Sequence, residues 1–420
     1  MKRVGLVASE PIRPRLGGIG VRYLEMTRWL PPLGFEVSLL SPGTSEEAEA
    51  CGLAPTVHRR FDPAKLGEWI AGHDVVVAQG QLANDVVLAA GEVPVAIDLY
   101  DPWLVENLQY AQQLGLAPWK NDHASWMLQL AAGDFFLCSS EEQRLYYLGL
   151  LTAAGRVNPE LAAVDPDFAT LVAVVPFGVS PVLEAHRPWL PPRRDGERRL
   201  LFGGLYDWYD PWTLLDALER LPDFDWTLRV VRNPNPESTP QRLFAELERR
   251  ARARGWWESR VLAIDWVPAE RRYDLLRDVD ALVAPHRASL ETRLAFRTRF
   301  LDALAAGCPV VTSEGGALSR RLAECAGWVV PEADPDRLAA ALRELLTDDE
   351  ERRRRVEAGR LLAREFAWER VLAPLVRFLA DPRRESSKLR FAARLPTASP
   401  DETPIARLRR RVRRFVEGGR

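Results

Sequence analysis

Short apolar runs recur along the chain, each followed by a stretch in which apolar positions return every three or four residues. In the first half, runs of strand length fall at 4–8, 36–40, 74–78, 93–99, 135–138 and 172–175. Between them the spacing predicts helices over 21–30, 66–71 and 82–90, and another from Ser140, where Ser followed by Glu is a cap-like start. The pattern begins again after residue 199. Strands are expected at 200–202, 226–231, 261–264, 281–285, 309–312 and 327–330. Helices are expected at 211–220, 240–253, 270–277 and 298–306, then over 335–346 and 349–380. Strands that alternate with helices make a parallel sheet covered on both faces. Two such sets make two α/β domains.

The break between the sets is compositional. HRPWLPPRRDGERR, residues 186–199, is rich in proline and charge and reads as a linker. The domain organisation expected is a Rossmann-like domain over 1–182, a second over 183–365, a helix over 366–383 that crosses back, and a basic flexible tail over 384–420. From Asp381 onward twelve Lys/Arg face five Asp/Glu. Within the tail, helical spacing places Ile405, Leu408, Val412, Phe415 and Val416 on one face with arginines around it. A basic amphipathic helix of this kind, over 404–416, can lie on an anionic membrane surface or pack on its own protein.

Composition narrows the class. With 420 residues, 47% hydrophobic and 28% charged, the chain is a globular protein too long for one ordinary core. Its net charge of −2 gives no reason to expect nucleic acid. The N-terminus MKRVGLVASEP reads as a buried strand and not as a secretion signal. No apolar run approaches the roughly 20 residues that span a bilayer. Cys51, Cys138, Cys308 and Cys325 show no metal spacing and sit in or beside apolar runs, as buried reduced thiols would. The expected location is cytoplasmic, with the tail as a means of peripheral attachment at the inner membrane face.

The candidate chemistry gathers in VAPHRASLETRLAFRTRFLDALAAGCPVVTS, residues 283–313. Strand, charged loop, helix and strand form one βαβ unit, and ligands of open α/β sheets sit at the carboxyl ends of the strands. Arg297, Thr298 and Arg299 open the helix, where free N–H groups and the dipole favour a phosphate. Asp302 lies one turn inside, within reach of a ribose. In the first domain, Gly17 and Gly18 precede a helix and would let a backbone approach a ligand closely.

LDALAAGCPVVTSEGGA and the two α/β domains resemble the GT-B glycosyltransferases, and among them the family-4 retaining enzymes. DWVPAERRYDLLRDVDALVAP, VVPFGV and LGGIG fit the same resemblance, in order, over about residues 1–380. AIDLYDPW, FGGLYDWYDP and ETRLAFRTRFLDAL are similar to a bacterial subgroup that builds surface polysaccharides. The resemblance implies two Rossmann-like domains that face each other across a cleft, with C-terminal helices and a basic tail. It implies transfer of a sugar from a nucleotide-diphosphate sugar to a glycan or lipid-linked acceptor, with retention. It places Asp302 on the ribose, the backbone of Val267 and Pro268 on the base, and Gly17 and Gly18 on the phosphates and sugar. No metal or other cofactor is expected, the helix dipole and arginines neutralising the departing diphosphate.

The departures from the family pattern fall on chemistry. Its first Glu lands on Leu294, leaving Glu291 as the nearby carboxylate that could replace it. Its diphosphate-holding Arg and Lys land on Gly204 and Tyr209, so Arg297 and Arg299 are expected to supply that charge. The first-domain His is absent, and Asp98 and Asp101 stand there instead. Either could orient or deprotonate an acceptor hydroxyl, while Asp101 could also cap a helix before Pro102. His286 is expected to touch the donor sugar. An epimerase, a phosphorylase or a silent binding protein on the same fold are the alternatives.

Overall fold

The computed structural model describes residues 1–182, 184–233 and 241–388. The amphipathic helix expected over 404–416 lies outside the described residues. The described residues form two compact units, Met1–Pro176 with those from Val371 onward, and Phe177–Arg370.

The first unit holds a seven-stranded sheet of β1 (Lys2–Val7), β2 (Phe35–Ser41), β3 (His58–Arg60), β4 (Val75–Gln79), β5 (Val95–Asp98), β6 (Phe135–Cys138) and β7 (Val172–Val174). Its order is β3-β2-β1-β4-β5-β6-β7 and every pairing is parallel. The second unit holds β8 (Arg198–Phe202), β9 (Trp226–Val231), β10 (Val261–Ile264), β11 (Ala281–Ala284), β12 (Val310–Ser313) and β13 (Trp328–Val330). Its order is β10-β9-β8-β11-β12-β13, again all parallel. VVVAQ, VAID, FFLC, ALVA and VVTS are buried at every position, because helices cover both faces of such a sheet. Each sheet reverses its strand order once, between β1 and β4 and between β8 and β11. The expected α/β class and the two-domain GT-B architecture hold at the level of each sheet.

Four expectations need correction. β3, with sequence HRR, escaped the reading because an edge strand need not be apolar, and two of its three residues are exposed. Residues 186–199 are not a free linker. The N–H groups of Trp189 and Leu190 donate to Asp278, and Arg193 pairs with Asp280, all within the second unit. The helix expected over 349–380 is three: Asp349–Glu365, Trp368–Val371 and Ala373–Ala380. It breaks where the Val179 N–H donates to the Phe366 carbonyl and fully buried Trp368 packs over Gly178, which has no side chain to obstruct the ring. Cys51, Cys138 and Cys308 are buried free thiols, but Cys325 is exposed.

The last helix and the described residues after it are tied into the first unit. Phe378 stacks on Phe135 at 4.5 Å, Arg156 pairs with Glu385, and Lys388 Nζ lies 2.5 Å from Asp134. Asp134 and Lys388 are both buried, so each ion satisfies a charge that would otherwise be stranded.

Candidate functional site

The second unit's switch point lies after β8 and β11. Gly203 and Gly204 follow β8 because an arginine occupies the space a side chain would fill: a Cβ at Gly203 would lie 2.9 Å from Arg299. Arg299 Nη1 donates to the Gly204 carbonyl at 2.9 Å and to the Tyr209 hydroxyl at 3.3 Å. Its guanidinium sits 5.2 to 5.9 Å from the ring centres of Tyr206, Tyr209 and Trp266. These rings stabilise the cation by their quadrupoles without neutralising it. Arg299 has no carboxylate partner among the described residues. The β8 loop is fixed to the chain after β11, the Asp210 N–H donating to the Pro285 carbonyl and the Arg287 N–H to the Trp208 carbonyl. Asp210 also caps helix Pro211–Glu219.

Arg299 lies in the first turn of helix Thr298–Ala306, which no side chain caps and which ends on left-handed Gly307. Arg297, just before it, is differently placed. Its two Nη atoms meet the two carboxylate oxygens of Glu291 at 2.7 and 2.8 Å, and Glu291 is fully buried. This fork-to-fork pair occupies both groups with each other. Glu291 is therefore not the open carboxylate expected, and Arg297 does not present a free charge. Leu294 is buried in the core.

His286 follows β11 and is 1% exposed. Nε2 lies 3.2 Å from the Glu314 carbonyl and Nδ1 3.4 Å from that of Ala284. Burial, with Arg297 nearby, pushes its pKa down to about 4, so the ring is neutral at pH 7. It braces the ends of β11 and β12, its ring nitrogens facing the two carbonyls and, at 3.4 Å from Nδ1, the Thr312 hydroxyl. Asp302 Oδ1 accepts from Arg272 Nε at 3.1 Å, while Arg272 Nη1 donates to the Ala269 carbonyl. The arginine thus ties Asp302 to the turn that follows buried Val267 and half-buried Pro268.

In the first unit the carboxyl ends of β1, β4 and β5 converge on a different chemistry. Gly17 and Gly18 open helix Gly18–Trp29, and the Glu10 carboxylate accepts from the N–H groups of Gly17 at 2.6 Å and Gly20 at 2.7 Å. The helix N-terminus is thus filled by the protein's own anion. A Cβ at Gly18 would lie 2.6 Å from the Tyr100 hydroxyl. Asp98 is wholly buried, its oxygens held by Arg22 at 2.7 and 3.2 Å, and Arg22 also donates to the carbonyls of Val175 and Pro176. This pair joins the helix to β5 and the chain after β7, which removes Asp98 as a group open to substrate.

Asp101 does not cap the helix that follows Pro102. It is half-buried and accepts from Gln79 Nε2 at 3.1 Å, while Ser9 Oγ donates to Gln79 Oε1 at 2.5 Å. Burial, with the Asp98 charge behind it, pushes its pKa up to about 7. Ser9, Gln79 and Asp101 come from three strand ends and form one hydrogen-bonded chain. Among the described residues no group of three His, Cys, Asp or Glu side chains could hold a metal ion. No described helix is long and apolar enough to cross a membrane.

Sequence reasoning missed Glu10, Gln79, Arg22 and Arg272, and the rings of Tyr206, Tyr209 and Trp266. The glycine pairs offered a signal for some of these, because each pair marks where another side chain comes close to backbone.

Residues 197–348 match the family model for glycosyl transferases group 1. The chain is 27% identical over 387 residues to the phosphatidyl-myo-inositol mannosyltransferase of Mycolicibacterium smegmatis, covering 86% of this chain and 89% of that one. Among solved structures it resembles Anabaena HepE in complex with UDP and glucose, with a TM-score of 0.67 and 14% identity over 90% of this chain and all of that one. WaaG, a glycosyltransferase involved in lipopolysaccharide biosynthesis, gives a TM-score of 0.61 and 16% identity over the same shares. Two parallel α/β units of seven and six strands, with the group 1 match on the second, define a GT-B fold. The protein is a glycosyltransferase.

Proposed function

We propose that the protein transfers a hexose from a nucleotide-diphosphate sugar to a glycan or lipid-linked acceptor in surface-polysaccharide synthesis, with retention of configuration. The observation that carries this reading is Arg299, a cation without a carboxylate partner laid over Gly203–Gly204 at the mouth of an uncapped helix. Two anion-stabilising features converge there, and a diphosphate is the ligand that uses both. The backbone of Val267 and Pro268 would hold the base, and Asp302, oriented by Arg272, would accept from ribose hydroxyls.

When the glycosidic bond to the donor breaks, negative charge grows on the diphosphate oxygen. Arg299 and the N–H groups of Thr298 and Arg299 are fixed beforehand where that charge would develop, which lowers the barrier without reorganisation and without a metal. In the first unit Asp101, through its anionic form, would accept the proton of the acceptor hydroxyl. Retention rests on the likeness to family-4 enzymes, as does the assignment of Gly17 and Gly18 to the donor. A lipid-linked acceptor accords with the names of the mannosyltransferase and of WaaG, and a basic tail would hold the protein at the inner face of an anionic membrane.

Calorimetry with UDP, GDP, ADP, CMP and dTDP tests the donor site, the expected result being saturable heat with at least one diphosphate. Silence with all of them sinks the reading. Turnover unaffected by EDTA is expected if Arg299 supplies the charge; loss restored by a divalent cation would refute that part.

A further inference from the structure

The first unit contains a cavity of about 600 Å³ on the sheet face beside its outer edge. Arg3 and Glu36 line it from the amino ends of β1 and β2, whereas Ser9, Gln79 and Asp101 follow the carboxyl ends of their strands. Its floor is built. Gly5 lacks a side chain where a Cβ would lie 2.6 Å from the Trp69 ring, so the indole settles onto the sheet. His73 Nδ1 lies 2.7 Å from the Trp69 carbonyl and must carry the proton there, which leaves Nε2 to accept from the Ser38 hydroxyl at 2.6 Å. Around the rim Arg3, Arg59, Arg60 and Lys65 make no ion pair among the described residues. Glu36, Asp62 and Glu68 share the lining.

We propose that this cavity binds a phosphorylated sugar. Four unpaired cations suit a phosphate, and the arginine forks suit it best. Three carboxylates would repel a simple polyanion but accept hydroxyl hydrogens well. The Trp69 ring offers the apolar platform on which the C–H face of a sugar rests. A volume of about 600 Å³ lies within the ordinary range of small-ligand sites. The phosphate could belong to a free sugar phosphate or to a glycolipid headgroup.

The test uses the full chain, with glucose 1-phosphate, inorganic phosphate and glucose as calorimetric probes. Vesicles of phosphatidylinositol or phosphatidylcholine are added in a flotation assay. Glucose 1-phosphate should bind more tightly than either of its parts. The double variant Arg59→Ala/Arg60→Ala should weaken it by about tenfold or more, and Arg59→Lys/Arg60→Lys by less. Nucleotide diphosphate binding should stay unchanged in both. Capture on phosphatidylinositol vesicles that glucose 1-phosphate displaces assigns the phosphate to a lipid; soluble binding without capture assigns it to a free sugar phosphate. The proposal is overturned if no probe binds or if the double alanine variant binds as the parent does; capture that glucose 1-phosphate does not displace is assigned to the basic tail. It also fails if that variant loses nucleotide binding in parallel. Nucleotide silence with intact glucose 1-phosphate binding would sink the donor reading and leave this site standing.

Discussion

The two sheets reverse their order in the same way, yet their switch points carry opposite chemistry. After β1 the helix N-terminus is filled from within by Glu10, and two aspartates stand at the end of β5. After β8 an arginine without a carboxylate lies beside a helix that no side chain caps. Topology sets where a ligand can sit, and the side chains decide the charge it must bring. The first site is satisfied and acidic. The second is cationic and ready for an anion. The same contrast recurs inside each site, where one charged group is locked in a buried pair and its neighbour is not: Asp98 against Asp101, and Arg297 against Arg299.

The largest expected effects lie at the end of β5. Asp98→Ala leaves Arg22 charged and buried without its partner, at a cost of about 3–5 kcal/mol, seen as a lower thermal midpoint. Asp101→Asn should leave the midpoint near the parent's below about pH 4, raise it above the parent's at pH 7, and lower turnover by about 10² or more. Turnover of the parent should rise through pH 7 as Asp101 deprotonates, and the variant should lack that limb. The folded pKa of Asp101 lies above the unfolded one, so its contribution to stability is full below about pH 4 and declines as pH rises through 7. Asp101→Asn should flatten that decline. Equal loss of stability in both variants would erase the distinction between the two aspartates.

Glu291 and Arg299 break the second contrast. Glu291→Ala strands Arg297 and should destabilise the unit by about 3 kcal/mol. Glu291→Gln keeps the shape, and its turnover should follow its stability. A Gln variant that melts like the parent but has lost all turnover would restore Glu291 as a reacting group. Arg299→Ala should do the reverse, preserving the midpoint and lowering kcat/KM by about 10²-fold, with Arg299→Lys between them. Unaltered diphosphate affinity in Arg299→Ala would move the phosphate site elsewhere.

The alternation of apolar runs made both sheets legible, because strands buried on both faces must be apolar throughout. β3 was not, since two of its three residues face solvent. The break at Phe366–Ala367 was hidden because Asp349–Ala380 carries helical spacing across it, and the contacts at the break are tertiary: the Val179 N–H on the Phe366 carbonyl and Trp368 over Gly178. In the sites, spacing marked Arg297, Arg299, Asp98 and Asp101 as candidates but could not rank them. Which member of each pair is neutralised depends on Glu291 in the same loop and on Arg22, 76 residues away in sequence. Glu10 was invisible for a related reason. Its role comes from a loop that folds back on itself to meet Gly17 and Gly20.

Glu10 carries the smallest expected effect and the sharpest test of the comparison. Its carboxylate satisfies two N–H groups at the start of helix Gly18–Trp29 and favours the positive end of the dipole. Glu10→Ala should cost about 1–2 kcal/mol, a charge-assisted cap being stronger than a neutral one. Glu10→Gln, which can still accept one of the two bonds, should lose about half of that. If the first switch point differs from the second only by carrying its own anion, added phosphate should raise the midpoint of Glu10→Ala by more than it raises the parent's. Were phosphate to protect both proteins equally, the N-terminus of the first helix would not be the site it acts on. The two switch points would then differ in backbone shape and not merely in charge.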